Sequence, residues 1–306
     1  MKRDFLNISD LTREEIYKII EYAIDLKKDK FKDQSLKGKS IGLIFMKQST
    51  RTRVSFEVGV YQMGGQPLYI SGITTQLSRN EEIKDTARVL SRYLDGVVIR
   101  TYSHKEVEEL AKYGTIPVIN ALTDYLHPCQ VLADLQTIYE RFGKIEGLKL
   151  AYIGDGNNMA NTWLIAGGLM GLNIAVATPE GYEPNGKAVK EALDLAKNTG
   201  ANIEILNDPE EAVKDADILY TDVWVSMGQE DTEERKKAFK NFRIDKTLVK
   251  KANKNAIVMH CLPAHKGEEI TEEVFEEFAD VIFEEAENRL HSQKALMSFL
   301  FNSWYN

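Results

Sequence analysis

The chain has 306 residues, 43% hydrophobic and 28% charged, with only 7 prolines, enough for about two domains of ~150 residues with full apolar cores. Its 39 Lys and Arg against 47 Asp and Glu leave a net charge of −8, which argues against nucleic acid or an anionic membrane as partner, because both need a basic face. Two cysteines, Cys129 and Cys261, cannot build a disulfide framework, and the opening MKRDFLNISD has no apolar signal core; the expected setting is the reducing cytoplasm.

In chain order, short apolar runs alternate with amphipathic stretches. The predicted strands are 40–45, 67–70, 96–100, 116–119, 149–153, 174–177, 202–205, 217–221, 256–259 and 280–283. Between the second and third runs NEEIKDTARVLSRYLDG, with Asn80 as its cap, offers Ile83, Ala87, Leu90 and Leu94 to one face of a helix. A longer helix over 128–142 opens with Pro128 and stops at Gly143. From Gly156 to Pro179 there is no charge, and Gly167-x-x-x-Gly171 imitates a membrane packing motif. Asparagines interrupt that stretch and it ends in a strand pattern, so it reads as a buried helix and then a buried strand. The echo between LKGKSIGLIF (36–45) and IEGLKLAYIG (145–154) suggests that each opens its own domain. The expected fold is α/β: two doubly wound parallel-sheet domains joined by long helices. The domains are 1–132 and 133–285, with a last helix from about 286 to 304 packing back on the first.

Ligands of open parallel sheets bind outside the carboxyl ends of the strands. Those ends are followed here by MKQSTRTR, by Arg100, and by NALTDYLHPCQ, DGNNMAN, DVWVSMG, CLPAH and EEAENRLHSQ. Nearly all the chemically unusual residues lie at such ends, and one composite site between two domains is the economical expectation.

A helix starting near Ser49 exposes unpaired N–H groups and about half a positive charge. Hydroxyls of Ser49, Thr50 and Thr52 add donors and Arg51 adds a planar fork, a phosphate cradle rather than a capped helix with solvated arginines. Arg53 can pair with Glu57 at i+4. No Walker G-x-x-x-x-G-K-[ST] is present. Arg100 ends a buried strand and points to the same anion; His127 precedes a helix whose first turn holds Gln130. Asp222 either faces a cation or forms its turn. Cys261 reads as a small buried hydrophobe, as a nucleophile lacking a nearby base, or as a metal ligand with His260 and His265, for which no second ligand pair exists. GDGNNMA (154–160) misses the dinucleotide spacing, and the next strand ends in Thr178 and Pro179 rather than an acid. A phosphate cradle with carbonyl-polarising donors, opposite an acid, an asparagine pair and a thiol, suits an acyl phosphate attacked by an amine.

STRTR, HPCQ, DVWVSMG, HCLP and ENRLHSQ, in that order along the whole chain, closely resemble the ornithine branch of the aspartate/ornithine carbamoyltransferase family. DxxxSMG with HCLP is the signal of that branch. The resemblance implies a first domain for carbamoyl phosphate and a second for ornithine. It implies phosphate held by Ser49, Thr50, Arg51 and Thr52, and the carbonyl oxygen by Arg100, His127 and Thr52. The carbamoyl amide falls to Gln130, assisted by the backbone around Cys261 and Leu262 and by Arg289. Ornithine falls to Asn158, Asp222, Ser226 and Met227, with Cys261 and Asp222 handling its proton. The same resemblance implies no metal or organic cofactor and a homotrimer, or a multiple of trimers, in which Gln76 reaches a neighbour's site. Two positions depart from the family's pattern: Gln48 stands where a small residue or proline is common, and QLSRNE lacks the glycine that usually follows its basic residue. Aspartate, putrescine or an acylated ornithine are the alternative acceptors, and a non-catalytic anion sensor or a dehydrogenase the alternative classes. Asp222 and the SMG turn argue against aspartate, whose second carboxylate would want arginines.

Overall fold

The alternating pattern resolves into two parallel sheets, each flanked by helices, in a computed structural model that describes residues 2–72, 81–226, 230 and 232–302. One compact unit comprises Met1–Gln136 with Glu287–Asn306, the other Thr137–Ala286. The first runs α1 (Arg13–Lys28), β1 (Ser40–Phe45), α2 (Thr50–Gln62), β2 (Gln66–Ser71), α3 (Ile83–Leu90), β3 (Gly96–Arg100), α4 (His104–Tyr113), β4 (Val118–Leu122) and α5 (Pro128–Phe142), whose last turns belong to the second unit. The second continues with β5 (Lys149–Ile153), α6 (Asn158–Met170), β6 (Asn173–Ala177), α7 (Gly186–Thr199), β7 (Ile203–Leu206), α8 (Pro209–Val213) and β8 (Ile218–Thr221). It closes with α9 (Glu233–Phe239), α10 (Lys246–Val249), β9 (Ile257–His260), α11 (Glu272–Glu277) and α12 (Ala279–Phe301), which from Glu287 onward belongs to the first unit.

The strand orders are β2-β1-β3-β4 and β7-β6-β5-β8-β9, with every pairing parallel. Each order reverses direction once, between β1 and β3 and between β5 and β8, and these are the switch points where such sheets open a crevice. Strands β3 and β4 are buried at every position, as expected where helices cover both faces. Ile44, Val97, Ile99, Val107, Leu110 and Val118 pack one core. Ala151, Ile153, Leu219, Phe239, Val258 and Ile282 belong to that of the second unit.

The uncharged stretch at 156–179 forms α6 and β6, and among the described residues no helix is long and apolar enough to cross a membrane. Its glycines serve soluble packing. A Cβ on Gly168 would lie 2.3 Å from the Ala192 carbonyl oxygen, so glycine lets α6 and α7 touch backbone to backbone. Gly171, at φ 73°, ends α6 in the left-handed conformation that favours glycine.

One predicted strand is absent. Residues 280–283 lie in the first turns of α12, which starts at Ala279 rather than near 286. The run Asp280-Val281-Ile282-Phe283 matches a short buried strand in composition, but Phe283 is 57% exposed, whereas Ile282, Glu285, Arg289 and Ser292 are buried. That spacing is helical, and no turn residue interrupts it. The strand expected at 116–119 lies at Val118–Leu122, displaced by two residues at its start. Asn80 lies outside the described residues; α3 begins after Glu82, which makes no side-chain capping bond.

Candidate functional site

In the first unit the chemistry gathers at the carboxyl ends of β1, β3 and β4. Ser49, in extended conformation, caps α2: its Oγ accepts from the Thr52 N–H at 3.3 Å. The cap leaves the N–H groups at the start of α2 without acceptors inside the helix. Thr50 and Arg51 are exposed there, and among the described residues Arg51 has no ion-pair partner. Arg53 behaves differently: it pairs with Glu57 at 3.0 Å and lies 3.6 Å above the Tyr69 ring.

Behind this helix end Thr52, Arg100, His127, Gln130 and Arg289 are all buried. Thr52 Oγ1 accepts from Arg289 Nη2 at 2.8 Å and from Arg100 Nη1 at 3.4 Å, so one hydroxyl joins residues from α2, β3 and α12. Arg289 Nη1 donates to Gln130 Oε1 at 2.7 Å. Burial, reinforced by the Arg289 and Arg100 guanidiniums, holds the His127 imidazole well below its ordinary pKa, so it is neutral at pH 7. Lys47, which the sequence reading did not single out, is also buried; its Nζ sits 3.9 Å from the centre of the Tyr102 ring. Burial and then Arg100 lower its pKa. Its signal lay in the KQSTRTR stretch itself. Buried guanidiniums beside a neutral imidazole and a helix N-terminus are chemically able to receive an anion that also carries a polarisable carbonyl. Cys129, the other cysteine, is structural: burial pushes its thiol up to about 12, and Sγ donates to the Asn120 carbonyl at 3.3 Å.

In the second unit the corresponding ends are those of β5, β8 and β9. Asn157 caps α6 through Oδ1, which accepts from the Met159 and Ala160 N–H groups at 2.8 and 3.3 Å and from the Tyr152 hydroxyl at 3.1 Å. Its Nδ2 donates to Asp222 Oδ2 and to Ser226 Oγ, both at 2.9 Å. Cys261 Sγ donates to Asp222 Oδ1 at 3.1 Å, and the Val223 N–H donates to the same oxygen at 2.8 Å. Asp222 is thus a buried carboxylate surrounded by neutral donors. Burial, with Asp222 and Asp155 nearby, pushes the Tyr152 hydroxyl well above its ordinary pKa, so it stays a donor. Arg235 braces this loop, with Nε donating to the Trp224 carbonyl at 2.6 Å and Nη2 paired with Asp155 at 2.8 Å.

The HCLP turn is built from His260. Its Nδ1 accepts from the Leu262 N–H at 2.9 Å, so Nε2 carries the proton and donates to Glu269 Oε1, also at 2.9 Å. With both ring nitrogens used, His260 is no metal ligand. Leu262 adopts φ 60°, a conformation few non-glycine residues take. Among the described residues His265, Glu268 and Glu269 lie close enough to share a metal, but Glu269 Oε1 already accepts from His260 and from the His265 N–H.

The structure therefore gathers Ser49, Thr50, Arg51, Thr52, Arg100, His127, Gln130 and Arg289 in one unit. Asp222, Ser226 and Cys261 meet in the other, with Asn158 opening α6 beside Asn157 and Leu262 following Cys261. Gln76 and Met227 lie outside the described residues. Asn157, the residue before Asn158, donates to both Asp222 and Ser226, a role the sequence did not single out.

Two doubly wound parallel α/β units, one with a phosphate-type anion site and one with a carboxylate–thiol site at its switch point, define a group-transfer enzyme with two polar substrates. Residues 3–140 match the model of the aspartate/ornithine carbamoyltransferase carbamoyl-P binding domain, and residues 146–300 that of its Asp/Orn binding domain. An ornithine carbamoyltransferase of Bacillus thuringiensis is 54% identical over 301 residues, covering 98% of this chain and 95% of the relative. One from Thermococcus kodakarensis is 54% identical over 302 residues, covering 97% and 96%. The solved ornithine carbamoyltransferase of Pyrococcus furiosus superposes with a TM-score of 0.94 at 51% identity, covering 99% of this chain and 98% of that one. The chain belongs to the aspartate/ornithine carbamoyltransferase family.

Proposed function

We propose that this chain transfers the carbamoyl group of carbamoyl phosphate to the side-chain amine of L-ornithine, giving L-citrulline and phosphate. The observation that carries the reading is the meeting of Arg100, Arg289 and Thr52, with Gln130 on Arg289 and neutral His127 alongside, behind the open N-terminus of α2. A simple phosphate binder needs only the helix end; the second group of donors suits an acyl carbonyl.

In this reading the phosphate takes the first N–H groups of α2, the hydroxyls of Ser49, Thr50 and Thr52, and Arg51. The carbonyl oxygen takes Arg100, His127 and Thr52, and Gln130 accepts from the carbamoyl amide. Ornithine binds through Asp222, Ser226 and Asn158, with Cys261 against it. The neutral amine attacks the carbonyl carbon, and negative charge develops on an oxygen already faced by donors. The C–O bond to phosphate then breaks and the dianion leaves into its cradle. Because His127 is neutral, it donates a hydrogen bond without delivering a full proton to the oxyanion. The amine proton passes toward the Asp222–Cys261 pair, where the Sγ–H already lies on the carboxylate.

A cytoplasmic homotrimer, or a multiple of trimers, is part of the proposal. Edge strand β2 leaves Leu68 and Tyr69 exposed at 41% and 39%, and α2 exposes Val54 and Tyr61 at 50% and 68%, apolar surface suited to a second copy.

The test is citrulline formation from carbamoyl phosphate, with ornithine, aspartate and putrescine offered in parallel. Turnover with ornithine alone is expected. Turnover with another amine in its place would overturn the assignment of Asp222, and none with any amine would overturn the transfer reaction.

A further inference from the structure

Asn157 opens α6 just past the carboxyl end of β5, and Asp222 follows β8, the strand paired with β5 across the switch point. Both residues are buried. The two ends of a carboxamide are alike in shape, and their neighbours decide which way round it sits. Here the backbone makes the choice: the Met159 and Ala160 N–H groups at the start of α6 can only donate, so the oxygen faces them. The nitrogen is thereby turned to the loop after β8, where its two N–H groups go to Asp222 Oδ2 and Ser226 Oγ, each at 2.9 Å. The Tyr152 hydroxyl, on a ring stacked with that of Tyr220, donates to the amide oxygen at 3.1 Å and steadies it from β5.

We propose that Asn157 is a positioning residue for the amine substrate, clamping the Asp222 carboxylate and the Ser226 hydroxyl to the start of α6 and so fixing the spacing of the groups that receive the amine. The inference rests on the assignment above of Asp222 and Ser226 to ornithine. A helix cap needs only a side-chain oxygen, which serine or aspartate supplies as well as asparagine does. Neither of those carries an N–H group on its side chain. Among the residues that cap helices well, asparagine alone can cap with one end and donate twice with the other. Both its N–H groups and its oxygen are engaged inside the protein, so Asn157 acts on the substrate through the two residues it holds. An aspartate on a strand-end loop turns about two side-chain bonds, and a carboxylate displaced by about 1 Å meets the substrate ammonium at a poorer distance and angle.

The experiment measures the KM for ornithine and for carbamoyl phosphate in the unmodified protein, in Asn157→Ser, in Asp222→Asn and in the double variant. Serine keeps a capping oxygen but has no amide to reach Asp222. Asn157→Ser is expected to raise the ornithine KM by about tenfold or more, the worth of a hydrogen bond to a charged group, with the carbamoyl phosphate KM little moved. In the Asp222→Asn background the same change should add much less, because the charge it positions is already gone. A residue that serves the fold alone would raise both constants together or add its full effect to Asp222→Asn. Either result overturns the proposal, as does an unchanged ornithine KM in Asn157→Ser, while the assignment of Asp222 stands. If Asn157→Ser does not fold, Asn157→Asp decides, since it keeps the cap and the volume but turns an oxygen toward Asp222. Its shift of the ornithine KM should disappear in the Asp222→Asn background, where an amide can donate to the new carboxylate; a shift that persists there, or none in the single variant, overturns the proposal. An unchanged ornithine KM in Asp222→Asn removes the assignment of Asp222 and the proposal with it.

Discussion

Replacing Thr52 by valine exchanges one hydroxyl for a methyl group and leaves the shape of the side chain almost unaltered. The position is 1% exposed, and its Oγ1 accepts from Arg289 at 2.8 Å and from Arg100 at 3.4 Å. The shorter bond is a full charge-assisted hydrogen bond, worth about 1.5–3 kcal/mol; the longer one adds little. Valine removes that acceptor from a buried guanidinium, so the protein free of anions should lose about 2 kcal/mol of stability, which lowers the unfolding midpoint by roughly 4–8 °C in a unit of this size. Phosphate oxygens can accept the same N–H groups, so saturating inorganic phosphate should narrow the gap between variant and parent. Thr52→Ser keeps the oxygen and should fall by about 1 kcal/mol or less, the cost of a lost methyl. Thermal unfolding by circular dichroism, with and without phosphate, reads all of these. A valine variant that melts with the parent, or a serine variant that falls as far as valine, would refute Thr52 as the acceptor joining the two arginines.

Two further expectations concern packing and pH. Burial pushes the His291 imidazole down to about 4, although Glu287 lies 3.4 Å away. The unfolded imidazole, near 6.5, takes up a proton before the folded one does; the stability it contributes is full above that pH and is lost as pH falls through about 4. His291→Gln should therefore lose less stability than the parent between pH 6.5 and 4, checked by urea midpoints across that range; parallel curves would contradict the buried neutral imidazole. Gly168→Ala forces a methyl group to 2.3 Å from the Ala192 carbonyl oxygen and should cost about 1–3 kcal/mol by the same midpoint measurement, because backbone rather than a flexible side chain must move.

Much of this was legible in the sequence because both sheets are parallel with buried central strands, which read as apolar runs with polar residues at the carboxyl ends. Ser49, Thr52, Arg100 and His127 stood out for that reason. The expected strand at 280–283 failed because Val281-Ile282-Phe283 is too short to reveal its period, and only the continuation through Glu285, Arg289 and Ser292 shows it to be helical. Lys47 escaped notice because a lysine beside STRTR reads as solvated, whereas its ammonium lies over Tyr102. That Asn157 caps α6 is fixed by where the helix starts, which the run GDGNNMA does not reveal by itself.

The central claim is that the first unit reads carbamoyl phosphate and the second reads ornithine. It is tested most directly by the KM for each substrate in Arg51→Ala and Asp222→Asn. Arg51 is exposed on the first turn of α2, and Asp222 accepts from Asn157 and Cys261. The alanine variant should raise the carbamoyl phosphate KM by roughly 10–150-fold, the worth of a charge-assisted bond of 1.5–3 kcal/mol, with the ornithine KM nearly unchanged. The asparagine variant should do the reverse. Equal shifts of both constants in either variant, or near-normal kinetics in Arg51→Ala, would contradict the division.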